Sequence, residues 1–334
     1  MQAVDSDAWG TEKTIFAFHP SARRAQLVEA RVRAGLADSL AAVLQALAGD
    51  ASMRGSDLVA RVRSGPVAPV VFGAYTELVE AIFSDDTDAA ARIAEELCSP
   101  NFGRVDEMRI LTLHDRHLGE AQAARYRRLV DEDAGVGADL SHLPQAEFAS
   151  ASARLREAVA LLDAAAPDLA GELRTLVHEI VVVDKSGDWP FGASSFQLWG
   201  CLFIKLKRHA SRVEIAESLA HECAHALLFG FGMGKPLVAN EPEELYPSPL
   251  RSDPRPMDGV VHATYVIARM HYTMSRLLAS GLLTQEEEHE ARAAKERNAR
   301  GYAEGIEVIS GNAKWTPAGE AALTAAREYM AGCQ

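Results

Sequence analysis

The chain is poor in cysteine. Its 334 residues include only four, namely Cys98, Cys201, Cys223 and Cys333. Their scattered spacing fits neither a disulfide framework nor a cysteine-based metal site. No apolar run reaches the roughly 18 to 20 residues that a helix needs to span a bilayer. The first residues have neither the basic start nor the apolar core of a signal peptide. Together these absences predict a cytoplasmic protein without a membrane span.

Positive charge is also scarce. Lysine and arginine number 34 against 47 aspartates and glutamates, so the formal net charge is −13, and no basic stretch stands out. Nucleic acids and anionic membranes attract clustered lysine and arginine, so both are disfavoured as partners. With 48% hydrophobic and 24% charged residues, the composition is that of a globular protein. Its length favours two domains.

One segment contains a chemically specific motif, His221-Glu222-Cys-Ala-His225. Histidines at positions i and i+4 lie on one face of a helix, so both imidazoles can reach one metal ion. Glu222 projects close to the same place, where it can act as a base or orient a ligand. The surrounding residues are apolar: Leu219, Ala220, Cys223, Ala224, Ala226, Leu227 and Leu228. Three costly polar groups in a buried helix need partners, and a metal ion supplies them.

The neighbourhood of this motif predicts a specific fold. A capping box at Ser211–Glu214 begins the helix, and Gly230 is expected to end it. Two extended runs precede it, Glu179–Val183 and Ser195–Lys207, the second expected to be a hairpin bent near Gly200. Strands followed by an HExxH helix are the arrangement of zincin metalloproteins, an analogy at the level of fold.

The rest of the chain is predominantly helical in pattern. Helical periodicity covers 21–48, 56–63, 73–83, 87–97, 117–131, 147–176 with an interruption near Pro167, 257–280 and 284–306. The turn-rich stretch 131–139 is the predicted boundary. We therefore expect an α+β protein with a helical N-terminal region over 1–139, which could bind a peptide or its leader. A zincin-like catalytic domain with a small sheet would occupy 140–334.

The loop between the motif helix and the next helix is rich in proline. It contains six of the chain's fourteen prolines, which predicts an ordered loop. The following helix brings His262 into its first turns, 37 positions after His225. A second helix packed on the metal helix is where many zincins hold a third ligand. His262 is the expected third ligand, with Glu243 and Glu244 as rivals.

Two arginines in this loop suggest an anionic ligand. A guanidinium matches a carboxylate with two parallel hydrogen bonds. Arg251 and Arg255 beside a metal site therefore favour an anionic small molecule or a peptide terminus. The alternative is that they pair within the protein, with Asp253, Glu243 or Glu244.

These residues resemble those of a known family. The HExxH motif and the run Tyr246-x-Ser-Pro-x-Arg-x-Asp-Pro-Arg-Pro256, which continues to Asp-Gly-Val-Val-His262, resemble the HExxH-motif proteins found with peptide natural-product gene clusters. That family is described as 2-oxoglutarate- and Fe(II)-dependent peptide β-hydroxylases. The resemblance covers roughly residues 175–275. It implies a dioxygenase that uses O2 to hydroxylate the β-carbon of a side chain in a ribosomally made precursor peptide.

The physical interpretation and the resemblance agree. Two histidines and a third protein ligand leave positions on Fe(II) for 2-oxoglutarate and O2. Arg251 or Arg255 would bind the far carboxylate of 2-oxoglutarate, with a hydrogen bond from Ser248 or Tyr246. Glu222 would orient a ligand or the substrate.

Two other functions remain open. If His262 is the third ligand, the all-nitrogen set also suits Zn(II), as in a metallopeptidase whose Glu222 takes a proton from metal-bound water. The strand near Ser195–Lys207 would then hold a peptide by edge pairing. The third possibility is a binding protein that keeps the helix but does not alter its ligand.

Overall fold

The computed structural model describes residues 15–46, 51–114, 116–130, 140–186 and 191–333, with backbone alone at 51–54 and 191. The predicted boundary at 131–139 lies outside these residues. Eleven α-helices occur among them: α1 (Ala22–Ala46), α2 (Ala51–Ser64), α3 (Pro69–Phe83), α4 (Thr87–Leu97), α5 (Glu120–Leu129), α6 (Gln145–Ala165), α7 (Pro167–Leu176), α8 (Arg212–Gly232), α9 (Met257–Ala279), α10 (Gln285–Asn312) and α11 (Pro317–Ala331). The protein is predominantly helical, as predicted, and none of the described helices combines the length and apolarity needed to cross a membrane.

The strands form one small mixed sheet and one short hairpin. The sheet has the order β1-β2-β4-β3, built from β1 (Arg109–Thr112), β2 (Glu179–Val182), β3 (Phe191–Ser194) and β4 (Cys201–Lys205). Strands β1, β2 and β4 are parallel, while β3 is antiparallel to β4. The hairpin pairs β5 (Leu245–Tyr246) with β6 (Arg255–Pro256). The α+β class is therefore confirmed.

Part of the predicted strand 195–207 is wrong. Only Cys201–Lys205 is a strand, because Phe196–Leu198 forms a turn of 3₁₀ helix capped by the Ser195 hydroxyl. The bend near Gly200 is confirmed, since Gly200 has φ of +87°. The hairpin that β4 completes is made with β3, which lies before the predicted run.

The described residues form two compact units. The helical unit takes its residues from Met1–Val28, Glu157–Leu173 and Ser211–Gln334. The sheet unit takes its residues from Glu29–Arg156 and Arg174–Ala210. Both units draw on residues before and after 139, and the contiguous domains 1–139 and 140–334 remain a prediction.

The sheet unit has a strongly apolar centre. All four residues of β2 are buried, as expected for a strand with neighbours on both sides. Its first residue, Glu179, accepts a 2.6 Å hydrogen bond from the Tyr126 hydroxyl and one from Arg109. The buried carboxylate is therefore satisfied within the unit.

His178, just before β2, is a buried histidine that stays neutral. Its Nε2 has no hydrogen-bond partner among the described residues, and a Cβ at Gly200 would lie 2.7 Å from its ring. Burial, followed by the charge of Arg33, lowers its pKa from 6.5 to about 4. Glycine at position 200 therefore serves both the left-handed backbone and the packing of this ring.

We expect acid to destabilise the protein through His178. Between pH 6.5 and pH 4 the unfolded chain binds a proton at this ring and the folded chain does not, so the stabilisation present above pH 6.5 is lost as the pH falls. Because of this histidine, the free energy of unfolding should be about 2 kcal/mol lower at pH 5 than at pH 7. Urea denaturation at both pH values should show a smaller pH dependence in His178→Leu than in wild type. The control is His209→Leu, which replaces an exposed histidine and should show the same change in unfolding free energy with pH as wild type. If all three proteins show the same change, the prediction is contradicted.

The helical unit is built around α8 and α9. These two helices pack on each other, and α10 packs along α9. The contact is close at Gly305, where a Cβ would lie 2.1 Å from the Thr264 hydroxyl. A small residue at this position lets α10 approach the back of the helix that carries His262.

Candidate metal centre

Helix α8 begins as predicted but ends later. The Ser211 hydroxyl accepts a 3.0 Å hydrogen bond from the Glu214 amide, which caps the first turn. The prediction that Gly230 ends the helix is wrong, because α8 runs to Gly232 and stops at Met233 in the left-handed conformation, with φ of 53°. Gly230 is instead buried within the last turn.

The predicted histidines come together at one place on α8 and α9. His221 and His225 lie one turn apart on α8, and their Nε2 atoms are 3.1 Å apart. His262 of α9 approaches the other edge of the His225 ring, so that the two Nδ1 atoms are 3.2 Å apart. The three rings thus form a row with His225 in the middle.

The neighbours at the two ends of this row allow the ring protons to be assigned. His221 Nδ1 lies 3.3 Å from the sulfur of Met270, which can only accept a hydrogen bond. His262 Nε2 lies 3.7 Å from Oδ2 of Asp258, whose charge favours a proton on that nitrogen. His262 Nδ1 then accepts from His225 Nδ1. In this protonation pattern the Nε2 atoms of His221 and His225 both carry lone pairs; the Glu222 carboxylate, 3.7 Å from Nε2 of His221, would favour a proton on that nitrogen until a cation takes its place.

Two lone pairs facing each other at 3.1 Å are an arrangement that a cation stabilises. Nitrogens bound about 2.0–2.1 Å from one metal ion, at angles from octahedral to tetrahedral, are about 2.8–3.4 Å apart. The His221 and His225 pair therefore fits two neighbouring positions of a metal ion. Over the part of the chain that the structure describes, no group of three or more His, Cys, Asp or Glu side chains is arranged to hold one ion together. His262 meets the Nδ1 edge of His225 in this structure, so its role as third ligand remains a prediction.

Both histidines of the pair are neutral at physiological pH. Burial, then the charge of Arg251, lowers the pKa of His221 to about 4. Burial, then His221, His262 and Arg251, lowers the pKa of His225 well below its ordinary value. Because neutral imidazole is the form that binds metals, the site needs no deprotonation to accept an ion. The side chain of His221 remains 23% exposed.

Glu222 lies at the same end of the site. Its side chain is buried, and Oε1 is 3.7 Å from Nε2 of His221, the nitrogen that faces the proposed ion. A carboxylate there can accept a proton from a group bound at the metal or orient that group.

The loop arginines occupy different surroundings. Arg251 is exposed and close enough to lower the pKa of both histidines by its charge. Arg255 has its Nη1 3.3 Å from Oδ2 of Asp253, the internal pairing that the sequence left open. Of the two, Arg251 is the one whose charge the histidine pair experiences.

The remaining predicted loop residues form local contacts. The Tyr246 hydroxyl donates a 2.8 Å hydrogen bond to Glu244, which also accepts from Asn240 and from Lys314. The Ser248 hydroxyl accepts from the Leu250 amide at 3.4 Å. Glu243 lies exposed in the same loop. The contacts of Tyr246 and Glu244 anchor the base of the β5–β6 hairpin.

Sequence reasoning missed two residues that hold the histidines, Met270 and Asp258. Asp258 also accepts a 2.6 Å hydrogen bond from the Leu237 amide, so it ties the loop to α9. Its position four residues before His262 was a usable signal, since the two lie on one face of a helix. No sequence signal pointed to Met270, because its contact with His221 depends on how α9 packs against α8.

A buried ionic cluster lies behind α8. Glu172 of α7 accepts hydrogen bonds from Arg24 and Arg269, and all three side chains are almost completely buried. Arg269 also donates to the Phe18 carbonyl at 2.7 Å. Glu172, Arg269 and Arg24 all influence the pKa of the Cys223 thiol, which burial raises strongly. The cluster therefore joins α1, α7 and α9 next to α8.

No family model matches the chain, and no curated protein matches it.

Proposed function

We propose that the protein is a 2-oxoglutarate- and Fe(II)-dependent dioxygenase that hydroxylates a side-chain β-carbon in a peptide, as the resemblance of its motifs implies. The observation that carries the metal part is the 3.1 Å separation of the His221 and His225 Nε2 atoms, which fits two ligands of one ion. The observation that favours an anionic cosubstrate is the charge of Arg251 beside that pair. A ribosomally made precursor peptide is the proposed substrate.

Each residue has a role in this proposal. His221 and His225 would hold the iron through Nε2, while Asp258 and His262 keep the proton of His225 on Nδ1. Bound iron would supply the activation of O2, coupled to oxidation of 2-oxoglutarate to succinate and CO2. Arg251 would bind the distal carboxylate of 2-oxoglutarate through its guanidinium. Glu222 would orient the substrate beside the ion.

One observation favours a second candidate, a zinc metallopeptidase. The Glu222 carboxylate lies 3.7 Å from the nitrogen that faces the ion, where it could take a proton from metal-bound water. This candidate leaves Arg251 without a role. Glu222→Gln separates the two, because a peptidase would lose nearly all turnover, whereas the dioxygenase would keep its metal and part of its consumption of 2-oxoglutarate.

Arg251 provides the direct test of the proposed cosubstrate. We expect metal-free protein, given Fe(II) and then 2-oxoglutarate without oxygen, to develop the visible metal-to-ligand charge-transfer band. In Arg251→Ala the 2-oxoglutarate concentration needed for the band should rise by about 10- to 100-fold, since a charge-assisted bond of about 1.5–3 kcal/mol is lost. Titration of the band in wild type and variant measures the change.

Two further variants make this titration specific. Arg251→Lys keeps the charge but not the planar fork, so its affinity should lie between those of wild type and Arg251→Ala. Arg292→Ala, which disrupts an exposed ion pair on α10, should match wild type. Absence of any band, together with tight Zn(II) binding and cleavage of peptides, would overturn the dioxygenase in favour of the peptidase.

A further inference from the structure

A row of aromatic rings runs through the helical unit from the metal helices to its surface. The Phe18 ring stacks on Tyr329 of α11 with ring centres 4.4 Å apart. Phe18 also meets Tyr265 of α9 edge to face, with ring centres 5.8 Å apart. Phe18 therefore bridges a tyrosine on the metal-bearing helix and a tyrosine on the last helix.

The inner end of the row lies on the helix that carries His262. Tyr265 follows His262 by three residues, which places it one turn further along the same helix. It is fully buried, and its hydroxyl has no hydrogen-bond partner among the described residues. The charges of Arg269, Arg24 and Glu172 act on this phenol, and so does the Cys223 thiol of α8. Tyr265 is therefore a buried phenol on the His262 helix, within electrostatic reach of Cys223 on α8.

The outer end is a tyrosine with a proton acceptor. The Tyr329 hydroxyl lies 3.0 Å from Nδ1 of His271, a buried ring. Burial, followed by the charge of Lys295, lowers the pKa of His271 to about 4, so the ring is neutral, and in the tautomer protonated at Nε2 its Nδ1 accepts the hydrogen bond of the phenol. The side chains of Ser275 and Cys333 also bond to this phenol, and Cys333 is exposed to solvent. The row therefore connects buried rings to a surface thiol.

We propose that Tyr329 is a redox-active tyrosine, with His271 as its proton acceptor, that withdraws oxidising equivalents from the vicinity of the metal pair through Tyr265 and Phe18. Tyr329 loses one electron to a one-electron oxidant, and its phenolic proton moves to Nδ1 of His271. The products are a neutral tyrosyl radical and an imidazolium. A one-electron reductant in solution, such as a thiol, returns the electron, and His271 returns the proton.

The protective role of Tyr329 rests on the proposed function, whereas the oxidation of Tyr329 itself does not. An oxygenase that activates O2 without its peptide generates an oxidant that can attack its own side chains. A path of aromatic rings would carry that oxidising equivalent away from the histidines to a place where a solution reductant can discharge it. The phenol, its acceptor and the bridging ring are all present without a metal ion.

The first experiment uses metal-free protein, a ruthenium(II) polypyridyl photosensitiser and persulfate as the oxidant. After a light flash we expect a tyrosyl signal by electron paramagnetic resonance that outlives the signals of exposed tyrosines. Tyr329→Phe keeps the ring that stacks on Phe18 and should lose this long-lived signal. His271→Asn should shorten its lifetime, because the proton then has no local acceptor. Tyr75→Phe, a change in the sheet unit, should match wild type.

A long-lived signal that persists in Tyr329→Phe overturns the proposal, provided that circular dichroism shows the variant to be folded. The second experiment loads the protein with Fe(II), 2-oxoglutarate and O2 without peptide and follows added oxygen atoms by intact-protein mass. We expect faster self-oxidation in Tyr329→Phe than in wild type, and equal rates would overturn the protective role. If the protein is not a dioxygenase, it will not consume 2-oxoglutarate in the second experiment. The photochemical result does not depend on that activity, so it still tests the redox role of Tyr329.

Discussion

Replacing His225 with alanine should abolish tight metal binding. His225 is the middle ring of the row, with Nε2 facing His221 and Nδ1 facing His262. Its removal takes away one proposed ligand and leaves His221 without the second nitrogen of the proposed site. Losing a residue that only supports a ligand lowers metal affinity by about 10- to 100-fold. For His225→Ala we expect the affinity for Fe(II) or Zn(II) to fall by more than this.

Isothermal titration of metal-free protein with Zn(II), and with Fe(II) in the absence of oxygen, measures this effect. His289→Ala, which removes an exposed histidine from α10, is the matched control and should bind as wild type does. If His225→Ala binds Zn(II) and Fe(II) as tightly as wild type, the proposed metal site is wrong. His262→Ala then decides between two roles for the third histidine: a loss as large as that of His225→Ala would make it a ligand. A loss within about 10- to 100-fold would make it the support of His225.

Replacing Glu172 with alanine should destabilise the helical unit severely. The carboxylate is fully buried between the guanidinium groups of Arg24 and Arg269, which are 1% exposed. Removing it leaves two buried positive charges without a counterion. The loss of one member of a buried ion pair costs about 3–5 kcal/mol of unfolding free energy. Since a domain is stable by only about 5–15 kcal/mol, a change of this size endangers the fold.

Urea denaturation of Glu172→Ala and of Glu172→Gln measures this cost. The glutamine variant keeps the shape and one accepting oxygen, so it should be less unstable than the alanine variant. Glu288→Ala breaks an exposed pair on α10 and should change the stability by no more than about 0.5 kcal/mol. If Glu172→Ala unfolds at the same urea concentration as wild type, the pairing of Glu172 with Arg24 and Arg269 does not stabilise the protein.

The sequence predicted those elements whose pattern is local. The helix over 87–97 has the predicted bounds, because Asp86 caps it through the Ala89 amide and Ala90, Ile93, Ala94 and Leu97 form its buried face. The break near Pro167 was also predictable, since proline cannot continue a helix from within. The helix that carries His262 was predicted to within one residue of its end.

The errors occurred where distant residues decide the structure. Gly230 does not end α8, because the left-handed position is taken by Met233, a residue type that rarely adopts it. The short strand β1 was not predicted, and its partner β2 lies 70 residues further along the chain. The last helix, α11, was also not predicted, although Thr316 caps it and Pro317 begins it.

The same distinction holds for the candidate site. Histidines four residues apart on one helix lie close together whatever the rest of the chain does, so the pair on α8 was predictable. The meeting of His262 with His225 could be expected only from the fold analogy. Its geometry, in which two Nδ1 atoms face each other, depends on the crossing of α8 and α9. The pairing of Arg255 with Asp253 could not be chosen over a ligand from sequence alone.

The discontinuous composition of the helical unit has a consequence for how the chain folds. The bonds of the buried cluster join residues that are 148, 97 and 251 positions apart. On the ribosome, Arg24 and Glu172 emerge long before Arg269, so the cluster cannot be completed until most of the chain has been made. Contacts of such long range slow folding, because loop closure must come before the contacts that stabilise it. During synthesis the unfinished unit exposes apolar helix faces, which is the state that chaperones recognise.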